Sequence, residues 1–221
     1  MNLFLNALLK YLSGAVLVGL LLFLPAGTFS YPNAWLFLGL LFVPMLILGA
    51  VLLIKNPELL AKRLNHREKQ EEQKKVVAGS GLLFVVGFVL AGLDFRFGRM
   101  YVPSGVVAAA AVLLLLSYGM YAEVMRENAY LSRTVEVQEG QKVVDTGLYG
   151  VIRHPMYTAT IVLFLSIPLV LGSWSAFVIF LCFPFMIVRR IRNEEDVLRA
   201  ELDGYSDYME RVRWRLLPFI W

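Results

Sequence analysis

Charge is scarce in this sequence. Asp, Glu, Lys and Arg make up 17% of the 221 residues, against 58% hydrophobic residues and a mean hydropathy of +0.65. A soluble domain is nearer half apolar and a quarter charged, so an ordinary water-soluble fold is excluded. Cysteine is nearly absent too. The single Cys182 excludes an intrachain disulfide. With only His66 and His154 beside it there is no Cys/His cluster for structural zinc, and no metal is expected. The net charge of +4 is modest. The basic residues flank apolar runs, where membrane topology accounts for them, so nucleic acid is not an expected partner. No G-x-G-x-x-G follows a strand-like stretch, which removes the Rossmann dinucleotide motif. Without an internal repeat or a low-complexity linker, residues 1–221 read as one domain.

Long uncharged runs are what the sequence does have. Six stand out: Leu8–Leu24, Ala34–Ile54, Val76–Leu93, Ser104–Val124, Met156–Leu171 and Trp174–Val188. A helix needs about 20 apolar residues to cross a bilayer. The expectation is therefore an all-α integral membrane protein with about six transmembrane helices. The last two are short, are separated only by Gly172-Ser173, and form a hairpin. The N-terminal run is long, carries only Lys10 and shows no small-x-small cleavage site, so it reads as a retained first span. Every Lys and Arg except Arg96 and Arg99 falls in Lys10, Lys55–Lys75, Arg126–Arg153 or the tail from Arg189. These are alternate loops. The positive-inside rule then puts both termini in the cytoplasm, which an even number of spans satisfies. On this reading residues 1–125 hold four spans. Residues 126–221 hold a polar segment, the hairpin and an amphipathic helix running to about Leu202, broken at Gly204. Within the polar segment, "TVEVQEGQKVVDTG" alternates like a β-hairpin turning at Gln138–Gln141.

The chemistry concentrates in "GLYGVIRHPMY", Gly147 to Tyr157. Gly147 and Gly150 permit conformations or approaches that other residues resist. Pro155 suits the first turn of a helix and pushes His154 toward extended backbone. Arg153 and His154 then sit at a helix N-terminus, where free N–H groups add partial positive charge, and an anion-binding corner results. The hairpin returns to the same side at Arg189-Arg190-Ile191-Arg192-Asn193-Glu194-Glu195. An anion corner facing a carboxylate pair suits a zwitterion, or a ligand whose ribose hydroxyls need acceptors. S-adenosylmethionine has a carboxylate, an ammonium, a sulfonium and a ribose. Each residue also has a plainer reading: His154 as an interfacial cap, Arg189, Arg190 and Arg192 as positive-inside anchors, Glu194-Glu195 as a helix start, Tyr205 and Tyr208 as interface aromatics. Glu123 and Glu127, one turn apart at the end of the fourth span, are either a substrate-side pair or a pair neutralised locally by Arg126. His66 reads as solvated, and Cys182 as lipid- or helix-packed and inert.

Three elements in order resemble the isoprenylcysteine carboxyl methyltransferases and the related phospholipid N-methyltransferases. They are Gly147, Tyr149, Arg153, His154, Pro155 and Tyr157; then Glu194, Glu195 and Leu198; then Tyr205 and Tyr208. The resemblance covers about Val143 to Pro218. It implies S-adenosylmethionine as cofactor, in a cytoplasmic pocket formed by the C-terminal third. The cofactor-binding residues it implies are Gly147, Tyr149, His154, Pro155, Tyr157, Glu194, Glu195, Tyr205 and Tyr208. It also implies a lipidic or small hydrophobic methyl acceptor entering from the bilayer: a prenylated cysteine carboxylate, a phospholipid amine or a thiol. Arg153 or Arg190 would orient a carboxylate acceptor, and Glu194 would serve an amine as base. Two alternatives stand beside it. One is an NADPH-dependent membrane reductase related to sterol reductases, against which the glutamate pair argues by repelling a polyphosphate. The other is a non-enzymatic membrane protein.

Overall fold

A computed structural model describes residues 3–64, 71–98, 102–132 and 135–221, with Glu71 and Glu72 described by backbone alone. His66, Arg67, Lys69, Arg99 and Arg133 lie outside these residues. Every regular element among the described residues is helical: α1 (Leu3–Ala26), α2 (Pro32–Lys55), α3 (Pro57–Leu64), α4 (Glu71–Phe97), α5 (Ser104–Glu127), α6 (Pro155–Val170), α7 (Trp174–Phe180), α8 (Phe183–Glu201) and α9 (Tyr205–Arg211), with a single 3₁₀ turn at Gly147–Gly150.

Five helical stretches are long and apolar enough to cross a bilayer: α1, α2, α4 from Gln73, α5, and α7–α8 taken together as Trp174–Glu201. The exteriors of these helices carry exposed Leu12, Leu20, Val43, Ile47, Leu116 and Phe185. Such a surface is stable only in lipid, and the chain is a multi-pass membrane protein. Of the expected hairpin only the second arm meets the length. α6 has 16 residues, about 24 Å at 1.5 Å per residue against a hydrocarbon core of about 30 Å. The second arm breaks after Phe180 because Pro184 lacks an N–H and its ring crowds the Phe180 carbonyl. Cys182 is exposed at that break.

The helices converge at the end away from the polar segment. Leu22, Phe23 and Ala26 of α1, Ala34 and Phe37 of α2, and Phe88 and Ala91 of α4 are buried there. Gly92 lets α4 press against α1, where a Cβ would lie 2.6 Å from the Leu22 carbonyl oxygen. A ring cluster fastens α4 to α6–α8: Phe84 meets Phe164 edge-on at 4.6 Å and Phe180 at 5.3 Å. α5 lies along α6, so the polar segment joining them folds back over the near end of the bundle.

The expected β-hairpin is corrected. The turn exists, with Gln141 N donating to Gln138 O at 3.0 Å. No ladder follows among the described residues, and side chains bond backbone groups around the turn. Gln138 N donates to Gln141 Oε1 at 2.9 Å, and Gln138 Nε2 donates to the Tyr130 carbonyl.

Candidate functional site

The near end of the bundle holds a cleft with about 850 Å³ of space between its walls, partly open to solvent. One wall is the polar segment: Asn128, Tyr130, Glu136, Lys142, Val143 and Val144. Another is the mouth of α6, with Arg153, His154, Met156 and Tyr157. The third is α8 and α9, with Arg190, Glu194, Leu198, Leu202, Tyr205 and Tyr208.

Local sequence chemistry builds the α6 mouth. His154 is the residue before α6, and Pro155 opens the helix, needing no N–H there. The N–H groups of Arg153 and His154 are not free. They donate to the carbonyls of Trp214 and Arg215, both at 2.9 Å, and Thr158 Oγ1 donates to Leu216 O at 2.8 Å. The C-terminal segment is thereby sewn to the helix start. Gly147 turns the chain into this mouth at φ 54°, with its missing Cβ 3.0 Å from the Glu127 carboxyl carbon. An L residue there would pay both a left-handed backbone and a contact.

The two adjacent glutamates diverge. Successive helical residues point about 100° apart, so Glu194 and Glu195 face different surroundings. Glu195 is buried at 2% exposure. Its Oε1 accepts from Arg153 Nε at 2.8 Å and lies 2.8 Å from Arg153 Nη2 and 3.2 Å from His154 Nε2. Its Oε2 accepts from Arg215 Nε at 2.8 Å. Arg153 Nη1 also donates to the carbonyls of Val212 and Arg213. The anion that answers the Arg153–His154 corner is thus a carboxylate of the same chain.

Glu194 faces the cleft. Tyr157 donates its hydroxyl proton to Glu194 Oε2 and accepts from Arg190 Nε at 2.8 Å. The Arg190 guanidinium also lies 5.8 Å from the centre of the Tyr157 ring. His154 Nδ1 stands 4.0 Å from Glu194 Oε1. Arg190, Glu194 and Leu198 are spaced four apart on one face of α8, while Ile187, Ile191 and Glu195 are buried on the next.

Tyr205 closes the cleft from α9. Its hydroxyl is buried and has no hydrogen-bond partner among the described residues. Burial first, then the charges of Glu195 and Glu194, push its pKa upward, so it stays a neutral donor. Tyr208 donates to the Tyr149 carbonyl at 2.8 Å, and Asn128 Nδ2 donates to the Tyr149 hydroxyl at 3.0 Å. Burial raises the Tyr149 phenol to about 12 despite that donor.

Of the sequence-derived residues, Tyr149, Arg153, His154, Tyr157, Arg190, Glu194, Tyr205 and Tyr208 line one cleft. Gly147, Pro155 and Glu195 stand behind it. Glu123 and Glu127 are bound by Arg126, and Glu127 Oε2 also accepts from Thr146 Oγ1 at 2.7 Å. The sequence reading missed three parts. Arg215 is the second guanidinium on Glu195. The polar segment forms a wall. Gln73 of α4, fully buried, donates to Arg190 O at 3.2 Å and Asn193 Oδ1 at 2.7 Å. A polar residue opening an apolar span was the available signal for Gln73. Among the described residues no three His, Cys, Asp or Glu side chains are grouped to hold a metal.

Comparison with known proteins adds two findings. Residues 106–202 match the family described as phospholipid methyltransferase. A stretch of 91 residues, 40% of this chain, is 26% identical to Delta(14)-sterol reductase of Mus musculus, and spans 22% of that protein's length.

Proposed function

We propose, from the match of residues 106–202 to the phospholipid methyltransferase family, that this chain transfers a methyl group from S-adenosylmethionine to a lipidic or small hydrophobic acceptor. The observation that carries the reading is the cleft itself. A carboxylate, a tyrosine–arginine pair and apolar walls from the family segment meet the buried hydroxyl of Tyr205, just beyond that segment, which has no partner among the described residues. A buried hydroxyl without a partner costs about 1–3 kcal/mol, which a bound ligand would recover.

The residues fit the cofactor. Glu194 offers a carboxylate to an ammonium or a ribose hydroxyl, and Tyr205 offers a donor. Val143, Val144, Leu198 and Leu202 offer apolar contact for a base and a methyl group. When bound, S-adenosylmethionine supplies an electrophilic methyl carbon on a sulfonium. The chain's own residues align the acceptor and exclude water. Arg190, through the Tyr157 hydroxyl, holds Glu194 in place. For an amine or thiol acceptor Glu194 Oε takes the proton. Arg153 acts as a positioning residue, fastening the C-terminal segment through Glu195. Gly147, Pro155 and Glu195 shape the site from behind it.

The remaining expectations belong to the same proposal. Residues 1–221 act as one unit, with 1–125 on the acceptor side and 126–221 on the cofactor side. The basic loops argue that the cleft and both termini face the cytoplasm. The similarity to a sterol reductase keeps an NADPH-dependent reductase as the second reading. Glu194 in the cleft disfavours it, because a carboxylate repels a 2′-phosphate.

The test is calorimetry on the detergent-purified protein, with S-adenosylmethionine and NADPH as competing ligands, beside His154→Ala and Glu194→Gln. We expect micromolar binding of S-adenosylmethionine, weakened in both variants, and none of NADPH. A folded sample that binds NADPH and not S-adenosylmethionine would replace this reading with the reductase.

A further inference from the structure

A second concavity opens beside the cleft, between the near ends of α1 and α2, and is floored by α3. The two helices pack closely only at their far ends, where the buried Leu22, Phe23, Ala34 and Phe37 lie. Tyr11 donates to the Phe42 carbonyl at 3.1 Å, and their rings meet edge-on at 5.5 Å. Beyond that contact the helices diverge. The trough has a volume of about 540 Å³, and its lining is mostly apolar. Its depth comes from small residues on facing helices. Gly14 of α1 and Gly49 of α2 line it, and a Cβ on either would meet nothing within 4 Å. Small residues in membrane helices ordinarily draw helices together. Here they leave open space between the helices.

The trough is charged at one end only. Lys10 and Arg63 are the ionisable cations on its lining, and no Asp or Glu is among the lining residues. Lys10 Nζ donates to the Leu64 carbonyl. Neither cation is paired with a carboxylate among the described residues. Arg63 also stands at the joint with the cleft: its Nη1 lies 3.5 Å from the Ser132 carbonyl and from Met156 Sδ, two residues of the cleft wall. α3 is held in place for this role. Asn56 caps it through Leu59 N at 3.0 Å, and Leu59 is buried against Val124, Leu131 and Tyr149.

We propose that the α1–α2 trough is a binding site for a single-chain amphiphile with an anionic head, whose tail lies along Gly14 and Gly49 and whose head is held by Arg63 and Lys10 beside the cleft. A charged head drawn to Arg63 is brought to the wall shared with Met156, while its tail never leaves apolar surroundings. The charge asymmetry sets the register, because a tail inserted in reverse would strand an anion among Leu17, Met45 and Leu46.

The test is photolabelling of the full chain in phosphatidylcholine nanodiscs with diazirine-bearing palmitic acid, and with the corresponding alcohol as the neutral probe. We expect the acid to label α1 and α2 residues of the trough about tenfold more strongly than the alcohol, the factor of one charge-assisted hydrogen bond. Arg63→Gln and Lys10→Gln should each erode the acid's advantage and leave the alcohol unchanged. Gly49→Phe and, from the opposite helix, Gly14→Leu should remove trough labelling by both probes while leaving S-adenosylmethionine binding intact. Equal labelling by acid and alcohol, labelling spread over all lipid-facing helices, or indifference to Gly49→Phe and Gly14→Leu would each overturn the site. Charge-dependent trough labelling in a protein that does not bind S-adenosylmethionine would overturn the methyl-donor reading and uphold the amphiphile site.

Discussion

Glu195→Gln is the sharpest perturbation of the near end of the bundle. The wild-type carboxylate receives Arg153 and His154 on one oxygen and Arg215 on the other. Glutamine keeps the shape but has one acceptor oxygen. If that oxygen stays with Arg153, the amide NH₂ faces Arg215 Nε, donor against donor. The Arg153 guanidinium, 5% exposed as a residue, then keeps its charge without an anion. Removing one member of a buried ion pair costs about 3–5 kcal/mol. The carbonyls of Val212 and Arg213 still receive Arg153, which places the loss near the lower end, about 3 kcal/mol. For a chain of this size that is a fall in Tm on the order of 10 °C. The C-terminal segment, held by the same cluster, should become protease-sensitive first. The matched control is Glu194→Gln, whose side chain is a quarter exposed in the cleft and should cost about 1 kcal/mol or less. Thermal unfolding in detergent, scanned at more than one rate, together with limited proteolysis measures both. Equal destabilisation by the two variants would refute the division of the pair into a buried clamp and a cleft-facing acid.

Three further outcomes follow from the same geometry. Tyr205→Phe removes a buried hydroxyl with no partner, so the ligand-free protein should keep or gain about 1 kcal/mol while S-adenosylmethionine affinity falls; calorimetry and thermal unfolding read the two effects separately. Tyr157→Phe cuts the Arg190–Tyr157–Glu194 relay and should weaken cofactor binding about tenfold with the fold intact by circular dichroism. Gly147→Ala forces a Cβ onto a left-handed backbone beside Glu127 and should destabilise by about 1–2 kcal/mol or more, visible in the Tm.

Much of the fold could be read without coordinates. The apolar runs locate the spanning helices because no other backbone satisfies its hydrogen bonds in lipid. Pro155 starts α6 and Gly204 ends the α8 region, since both act through local backbone chemistry. The β-hairpin reading failed at Gln138 and Gln141, whose amides bond the backbone as a strand partner would. Period-two alternation does not register that competition. The short arm of the membrane hairpin and the break at Pro184 were likewise visible only as composition, not as lengths in space.

Sequence alone therefore determined the membrane class, the places of the long apolar helices and most of the residues that line the cleft. These depend on hydropathy, on proline and glycine, and on residue type, all of which act within a few positions. Tertiary structure decided which of those residues work together. Only the packing of α8 against α6 and the C-terminal segment assigns Glu195 to Arg153 and Arg215 and leaves Glu194 to Tyr157 in the cleft. Only the splay of α1 from α2 turns two unremarkable glycines into a trough that ends at Arg63. Neighbours in sequence were separated by helical rotation, and residues more than 40 positions apart were joined by packing, so no local pattern could have reported either.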